Sequence, residues 1–172
     1  MKKQIVLLFS IINSILVGCS NSSAAHSENK TEKQVRILIE ENKPIERLRE
    51  ISREIVDLLK DGSKEDLVKI LSANSTKEGT NIYFIVGANG PKSYESVLAT
   101  NDETVTISDQ DNFDYVCNET REFIIERNEG QELLLKKNSD SEFVCSYGGN
   151  PNLNIRFSGE YKIQDLFVSM GE

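Results

Sequence analysis

The densest group of possible metal ligands in this chain lies in the stretch SDQDNFD, residues 108–114. Asp109, Asp111 and Asp114 carry carboxylate oxygens, the ligand type that Ca²⁺ prefers. A calcium-binding loop of the EF-hand type that started at Asp109 would need glycine at its sixth position and glutamate at its twelfth. The sequence has Asp114 and Thr120 there, so the spacing favours a solvated turn, and we expect no metal and no cofactor.

No arrangement for acid–base or nucleophilic catalysis is apparent in the sequence. The single histidine, His26, lies in a polar N-terminal stretch, so neither a serine nor a cysteine has a histidine in the folded part to activate it. The glycine-rich GANGP, residues 87–91, is not followed by the Lys-Ser or Lys-Thr of a phosphate-binding loop. We therefore predict no catalytic residues and a protein that is not an enzyme.

Charge and composition limit the classes of partner. The chain has 172 residues, a formal net charge of −8 and no tryptophan, which suits one soluble domain. A nucleic-acid partner is not expected, because phosphate binding needs clustered lysine and arginine.

The first residues have the pattern of a secretory signal. Lys2 and Lys3 precede a mostly apolar run over residues 4–18, which is shorter than the roughly 20 residues of a spanning helix. A polar stretch, SNSSAAHSENK, follows at once. We predict a signal peptide over residues 1–18, a flexible tether over 19–33 and a single domain over 34–172.

The end of that run, Leu16-Val17-Gly18-Cys19, resembles the lipobox of bacterial lipoproteins. The resemblance covers only the signal and implies cleavage between Gly18 and Cys19, with lipid carried on Cys19. Two or three acyl chains make a stable membrane anchor. Ser20 after the cysteine implies the outer membrane of a Gram-negative cell envelope. An unlipidated secretory signal with a chance cysteine is the alternative.

Assigning Cys19 to lipid leaves an even pair, Cys117 and Cys145. Each lies in a short alternation with aromatic residues, in FDYVC and FVCSY, which predicts two strands with cysteines on a buried face. We predict a disulfide between them, as an oxidising compartment permits. Two buried free thiols are the alternative.

Helical spacing dominates residues 34–72. Pro44 suits the first position of a long helix, whose apolar positions run from Ile45 to Leu59 and which Asp61-Gly62 ends. Ser63 is placed to cap a second, short helix. The segment VRILIEEN before Pro44 is ambiguous between strand and helix.

Period-two alternation replaces helical spacing between residues 80 and 170. Strands are predicted at 81–86, 103–107, 112–117, 121–127, 131–137, 142–147 and 152–157, and the last stretch, YKIQDLFVSM, suits a strand or a short helix. Helices followed by strands predict an α+β fold, with amphipathic helices packed on a curved antiparallel sheet of about six or seven strands. The stretch EIVDLLKDGSKEDLVKILS resembles the helical start of nuclear-transport-factor-like and cystatin-like domains.

The sequence therefore predicts a lipid-anchored envelope lipoprotein that works as a non-catalytic binding module for an unknown protein or small molecule. Two alternatives stay open: an inhibitor of an envelope-attacking enzyme such as lysozyme, and an enzyme of nuclear-transport-factor-like shape that uses a buried carboxylate. Six aromatic side chains either line a pocket for the second alternative or pack in the core: Tyr83, Phe84, Tyr94, Phe113, Tyr115 and Tyr147.

Overall fold

A computed structural model describes the backbone of residues 30–87, 90–101 and 104–170, and the side chains from residue 43 onward within those ranges. The chain divides into two compact units, residues 1–37 and 38–172. The predicted signal, with Gly18 and Cys19, and the histidine at position 26 lie outside the described residues.

Helix α1 spans Lys30–Asp61 and is longer than the sequence indicated. Pro44 lies inside this helix, so its predicted place at the first helical position is wrong. A proline there removes one backbone donor but does not end the helix. Leu48, Ile51 and Ile55 follow each other at helical spacing and are buried, so burial of one face stabilises the helix that the proline weakens.

Helix α2, Lys64–Asn74, begins as the sequence predicts. The Ser63 hydroxyl accepts a hydrogen bond from the Asp66 backbone N–H at 3.1 Å, and donates to the Asp66 carboxylate at 2.8 Å. This serine therefore satisfies one of the free N–H groups of the first turn.

Seven strands form one sheet of order β3-β2-β1-β7-β6-β5-β4. Two antiparallel meanders, β1–β3 and β4–β7, meet where β1 and β7 run parallel. The bounds are β1 Thr80–Val86, β2 Lys92–Asn101, β3 Thr104–Ile107, β4 Leu134–Ser139, β5 Glu142–Gly148, β6 Asn152–Ser158 and β7 Ile163–Met170.

The connection from β3 to β4 is helical. Helix α3 spans Gln110–Thr120 and continues through a π-helical turn, Arg121–Ile125, and a 3₁₀ turn, Glu126–Asn128. The strands predicted at 112–117 and 121–127 are therefore wrong. Phe113, Val116 and Thr120 are buried at helical spacing, whereas Tyr115 is exposed. The period-two pattern of the aromatic residues was coincidental.

One face of the sheet carries the core. Side chains from α1, α2 and α3 join a single buried cluster with residues of five of the described strands. Leu48 of α1, Leu67 of α2 and Phe113 of α3 all belong to it. The α+β class, with helices packed on a largely antiparallel sheet, is confirmed. The connection over residues 110–128 is helical, although the sequence predicted strands there.

Candidate functional site

A groove of about 700 Å³ lies between helix α1 and the chain that leads into β4. Its position follows from topology, because the helical connection delivers the chain to the edge of the sheet beside α1. The segment from 131 to 133 has no regular secondary structure and leads into β4. The lining residues are Arg49, Arg53, Val56, Asp57, Lys60, Ile125, Glu129, Gly130, Gln131, Glu132, Leu133, Leu134, Leu135 and Tyr147.

The groove has an apolar floor and charged walls. Val56 and Ile125 are buried, and Tyr147 is held by its hydroxyl, which donates to the Asn128 carbonyl at 2.8 Å. Charged and polar side chains supply most of the lining, so the groove differs from the predominantly apolar pockets that bind small molecules.

One ion pair joins the two walls. The Lys60 ammonium donates to the Glu129 carboxylate, and this hydrogen bond is the main reason that the pKa of Lys60 is raised and that of Glu129 lowered. Both side chains are largely in water, so the pair adds little stability. The ion pair does join Glu129, just before the segment 131–133, to the last turn of α1.

The strand beside the groove is an edge strand. Among the described strands, β4 pairs with β5 alone, so alternate backbone N–H and C=O groups of β4 point away from the sheet. Leu134 is 58% exposed. Lys137 pairs with Asp140, whereas Lys136 is exposed and forms no ion pair with any described residue. The edge is therefore open to an added strand.

The registers show which side chains share a face. Leu135 lies opposite Cys145, which belongs to the core beneath the helices, whereas Leu134 lies opposite Ser146. Leu134 and Lys136 consequently share the face that points away from the core. A strand added at this edge would place alternate side chains beside those two residues.

Cys145 and Cys117 are both free thiols in the structure. Cys145 is in β5 as predicted, where burial raises the pKa of its thiol. The buried Ser52 hydroxyl lies beside that thiol, lowers its pKa in part, and makes no close hydrogen bond to a described residue.

Cys117 lies on helix α3, not on a strand, so the strand pairing on which the predicted disulfide rested is wrong. Burial, assisted by the Asp114 carboxylate, raises the pKa of the Cys117 thiol to about 12. A thiol with such a pKa is protonated at neutral pH and is a poor nucleophile.

The acidic stretch 108–114 forms the N-terminal cap and first turn of α3. The Asp109 carboxylate caps the helix by accepting from the Asn112 backbone N–H at 2.9 Å. Asp114 forms an ion pair with Lys64 and accepts from the Gln110 amide at 2.8 Å. Within the described residues, no group of three or more His, Cys, Asp or Glu side chains is placed to hold a metal ion.

The six aromatic side chains divide among several places and do not line one pocket. Tyr83 stacks on Phe167 with 5.3 Å between the ring centroids, on the face of the sheet away from the core. On the other face, Tyr94 stacks on Tyr115 with 4.0 Å between centroids, above Phe84.

One carboxylate is buried in the sheet. Asp165 is 6% exposed and accepts from the Arg156 guanidinium and the Asn81 amide, each at 3.0 Å. A general base needs a proton to abstract within reach. Since two donors already bind its oxygens, the contacts of Asp165 are those of a structural ion pair and lend no support to the enzyme alternative.

Comparison with known proteins returned no match: no family model, no curated protein and no solved structure is similar to this chain. Across the part of the chain that the structure describes, no helix is both long and apolar enough to span a membrane.

No pattern in the sequence predicts the groove. Its lining comes from residues 49–60, 125–135 and 147, which no motif links, and β4 becomes an edge only through the order of the strands. The stretch LLKK, residues 134–137, is visible in the sequence, but the exposure of Leu134 follows only from the fold.

Proposed function

We propose that this chain is a lipid-anchored lipoprotein of the bacterial envelope, held at the outer membrane through Cys19, and that its folded domain is a non-catalytic binding module. The module takes an extended protein segment into the groove, where the segment pairs with β4 and extends the sheet. The observation that carries the proposal is the open edge of β4 beside a groove of about 700 Å³.

Addition of a strand would use both the open edge of β4 and the groove beside it. Main-chain hydrogen bonds to an edge strand supply affinity, and neighbouring pockets for alternate side chains supply specificity. The unpaired backbone groups of β4 provide the first, and the apolar floor at Val56 and Tyr147 provides the second. The opposite edge, β3, is only four residues long, Thr104–Ile107, and none of its residues lines the groove beside α1.

The anchor is tested by metabolic labelling. Cells that express the full chain and receive a palmitate analogue are expected to label it, and Cys19→Ser is expected to abolish both the label and the membrane association. Label that persists in the Cys19→Ser chain would show that the lipobox interpretation is wrong.

Binding at the edge is tested by photocrosslinking in cells. A photoreactive amino acid replaces Leu134 in one chain and Val105, which is 40% exposed on β3, in a matched control. We expect a discrete protein adduct from position 134 and none above background from position 105. Equal adducts from both positions, or none from position 134, would refute a binding edge at β4.

A further inference from the structure

The chemistry of the β4 edge indicates what kind of segment it binds, an inference that rests on the proposed function. The strand has the sequence Leu134-Leu135-Lys136-Lys137-Asn138-Ser139 and contains no acidic residue. It is a locally basic, apolar strip on a chain whose formal net charge is −8.

Two side chains of β4 on the face away from the core, Leu134 and Lys136, are exposed. Leu134 exposes 58% of its surface, and the Lys136 ammonium lacks an ion pair with a described residue. Lys137, on the other face, is already paired with Asp140 at 2.8 Å. The charge available to a partner on this strand is therefore that of Lys136.

A second copy of this chain is a poor occupant. Two copies of β4 paired edge to edge would bring Lys136 and Lys137 of both chains into one short stretch with no acidic residue in either strand to offset them. Like charges on neighbouring strands are destabilising, and edge lysines are a common device against such self-pairing.

We propose that the bound segment is an extended peptide that pairs antiparallel with β4 and carries an acidic residue followed, two positions later, by an apolar residue. The acidic side chain lies beside Lys136 and the apolar side chain beside Leu134. The order follows from the antiparallel direction, because the peptide residue opposite 136 precedes the one opposite 134. The residue between them points to the groove and α1.

The length of the usable edge limits the peptide. The ladder between β4 and β5 is regular from Leu134 to Lys137 and shifts register before Ser139. A bulge there bends the strand and ends regular pairing. The recognised core is therefore about four residues long, with room on the face away from the core for one acidic and one apolar position, spaced by two, while the residue between them meets the groove floor.

The test uses the full-length chain in detergent solution and three fluorescent peptides in a threonine background, which favours extended structure. They are Thr-Glu-Thr-Val-Thr, Thr-Lys-Thr-Val-Thr and the reversed Thr-Val-Thr-Glu-Thr. Fluorescence anisotropy is expected to give a Kd for the first peptide about three- to tenfold below that for the other two. The preference for glutamate over lysine is expected to shrink as salt is raised.

A charge swap makes the assignment specific to one residue. Lys136→Glu is expected to reverse the order, so that the lysine peptide binds more tightly than the glutamate peptide. Lys77→Glu, an exposed lysine in the turn before β1, is the matched control and is expected to leave the order unchanged. Because both variants change one exposed side chain, neither is expected to affect folding.

The outcomes separate the two proposals. Equal affinities for the glutamate and lysine peptides, an unchanged order in Lys136→Glu, or no binding of any peptide would overturn the acidic–x–apolar assignment. The proposed function stands or falls separately, with the photocrosslink at position 134. A tighter complex with the reversed peptide would overturn the antiparallel orientation.

Discussion

Arg156 and Asp165 face each other across β6 and β7, with 3.0 Å between the guanidinium Nη1 and the carboxylate Oδ2. The same carboxylate accepts from the Asn81 amide of β1. Asp165 thus binds both neighbours of β7, one antiparallel and one parallel, at the junction of the two meanders.

Removal of this carboxylate is expected to weaken the junction. Asp165→Ala leaves a half-buried guanidinium and an amide without their acceptor, so the free energy of unfolding should fall by about 1–3 kcal/mol. Urea unfolding measures the change. Asp140→Ala, which breaks the exposed pair with Lys137, is the matched control and is expected to leave the midpoint unchanged. Similar losses in both variants would contradict the role of Asp165.

Tyr83 is expected to ionise late in an alkaline titration. Burial, assisted by the neighbouring Asp165 carboxylate, raises the pKa of Tyr83 to about 12, from an ordinary value near 10. Titration followed at 295 nm should show a late step above pH 11 that Tyr83→Phe removes. Tyr161→Phe, which removes an exposed tyrosine, should lower the total amplitude and keep the late step.

The raised pKa of Tyr83 also predicts the direction in which stability changes with pH. Between pH 10 and about 12 the unfolded chain loses the Tyr83 proton while the folded chain keeps it, so the folded state binds more protons and loses stability as pH rises. Tyr83→Phe is expected to flatten the fall of the urea midpoint over this window. A slope that is identical in Tyr83→Phe and Tyr161→Phe would show that Tyr83 does not cause it.

The α+β class and most strands were predictable because burial imposes a period on the sequence. β5, with Phe143, Cys145 and Tyr147 buried in alternation, is the clearest case. Helix α2 was predictable from its Ser63 cap. These signals are local, so a single chain carries them without knowledge of its tertiary contacts.

Other features depended on contacts that no local pattern reveals. The buried residues of α3 are spaced as in a helix: Phe113, Val116 and Thr120. The same stretch also has aromatic residues in period-two alternation, and this pattern wrongly predicted a strand. The Asp109 cap of α3 was visible but resembles a turn. β2 was missed altogether because its ladder with β1 shifts register near Tyr94, which has a positive φ of 51°, so its outward and inward residues do not alternate cleanly. The groove needs the strand order, which only the fold supplies.

Alanine substitutions at two glycines are expected to distinguish the cost of a left-handed backbone from the cost of a steric clash. Gly79 and Gly130 both have positive φ, of 97° and 81°. A Cβ on Gly79 would lie 2.4 Å from the Leu98 carbonyl oxygen, whereas one on Gly130 would meet nothing within 4 Å. Gly130→Ala should lower the free energy of unfolding by about 1–2 kcal/mol, the cost of the left-handed conformation. Gly79→Ala should lower the free energy of unfolding clearly more than Gly130→Ala does. Thermal and urea unfolding measure both losses, and equal losses in the two variants would refute the close approach of Gly79 to β2.

The state of the two domain cysteines decides between the predicted disulfide and the thiols of the structure. Burial holds the pKa of Cys117 near 12 and raises that of Cys145, so iodoacetamide at pH 8 should modify neither in the folded chain. In urea, both should react, and intact mass should rise by two carbamidomethyl groups beyond any on Cys19. Cys117→Ser and Cys145→Ser should each reduce the count by one. A chain that stays unmodified in urea until it is reduced would show that the bridge forms after all, and that α3 and β5 bring the two sulfur atoms together.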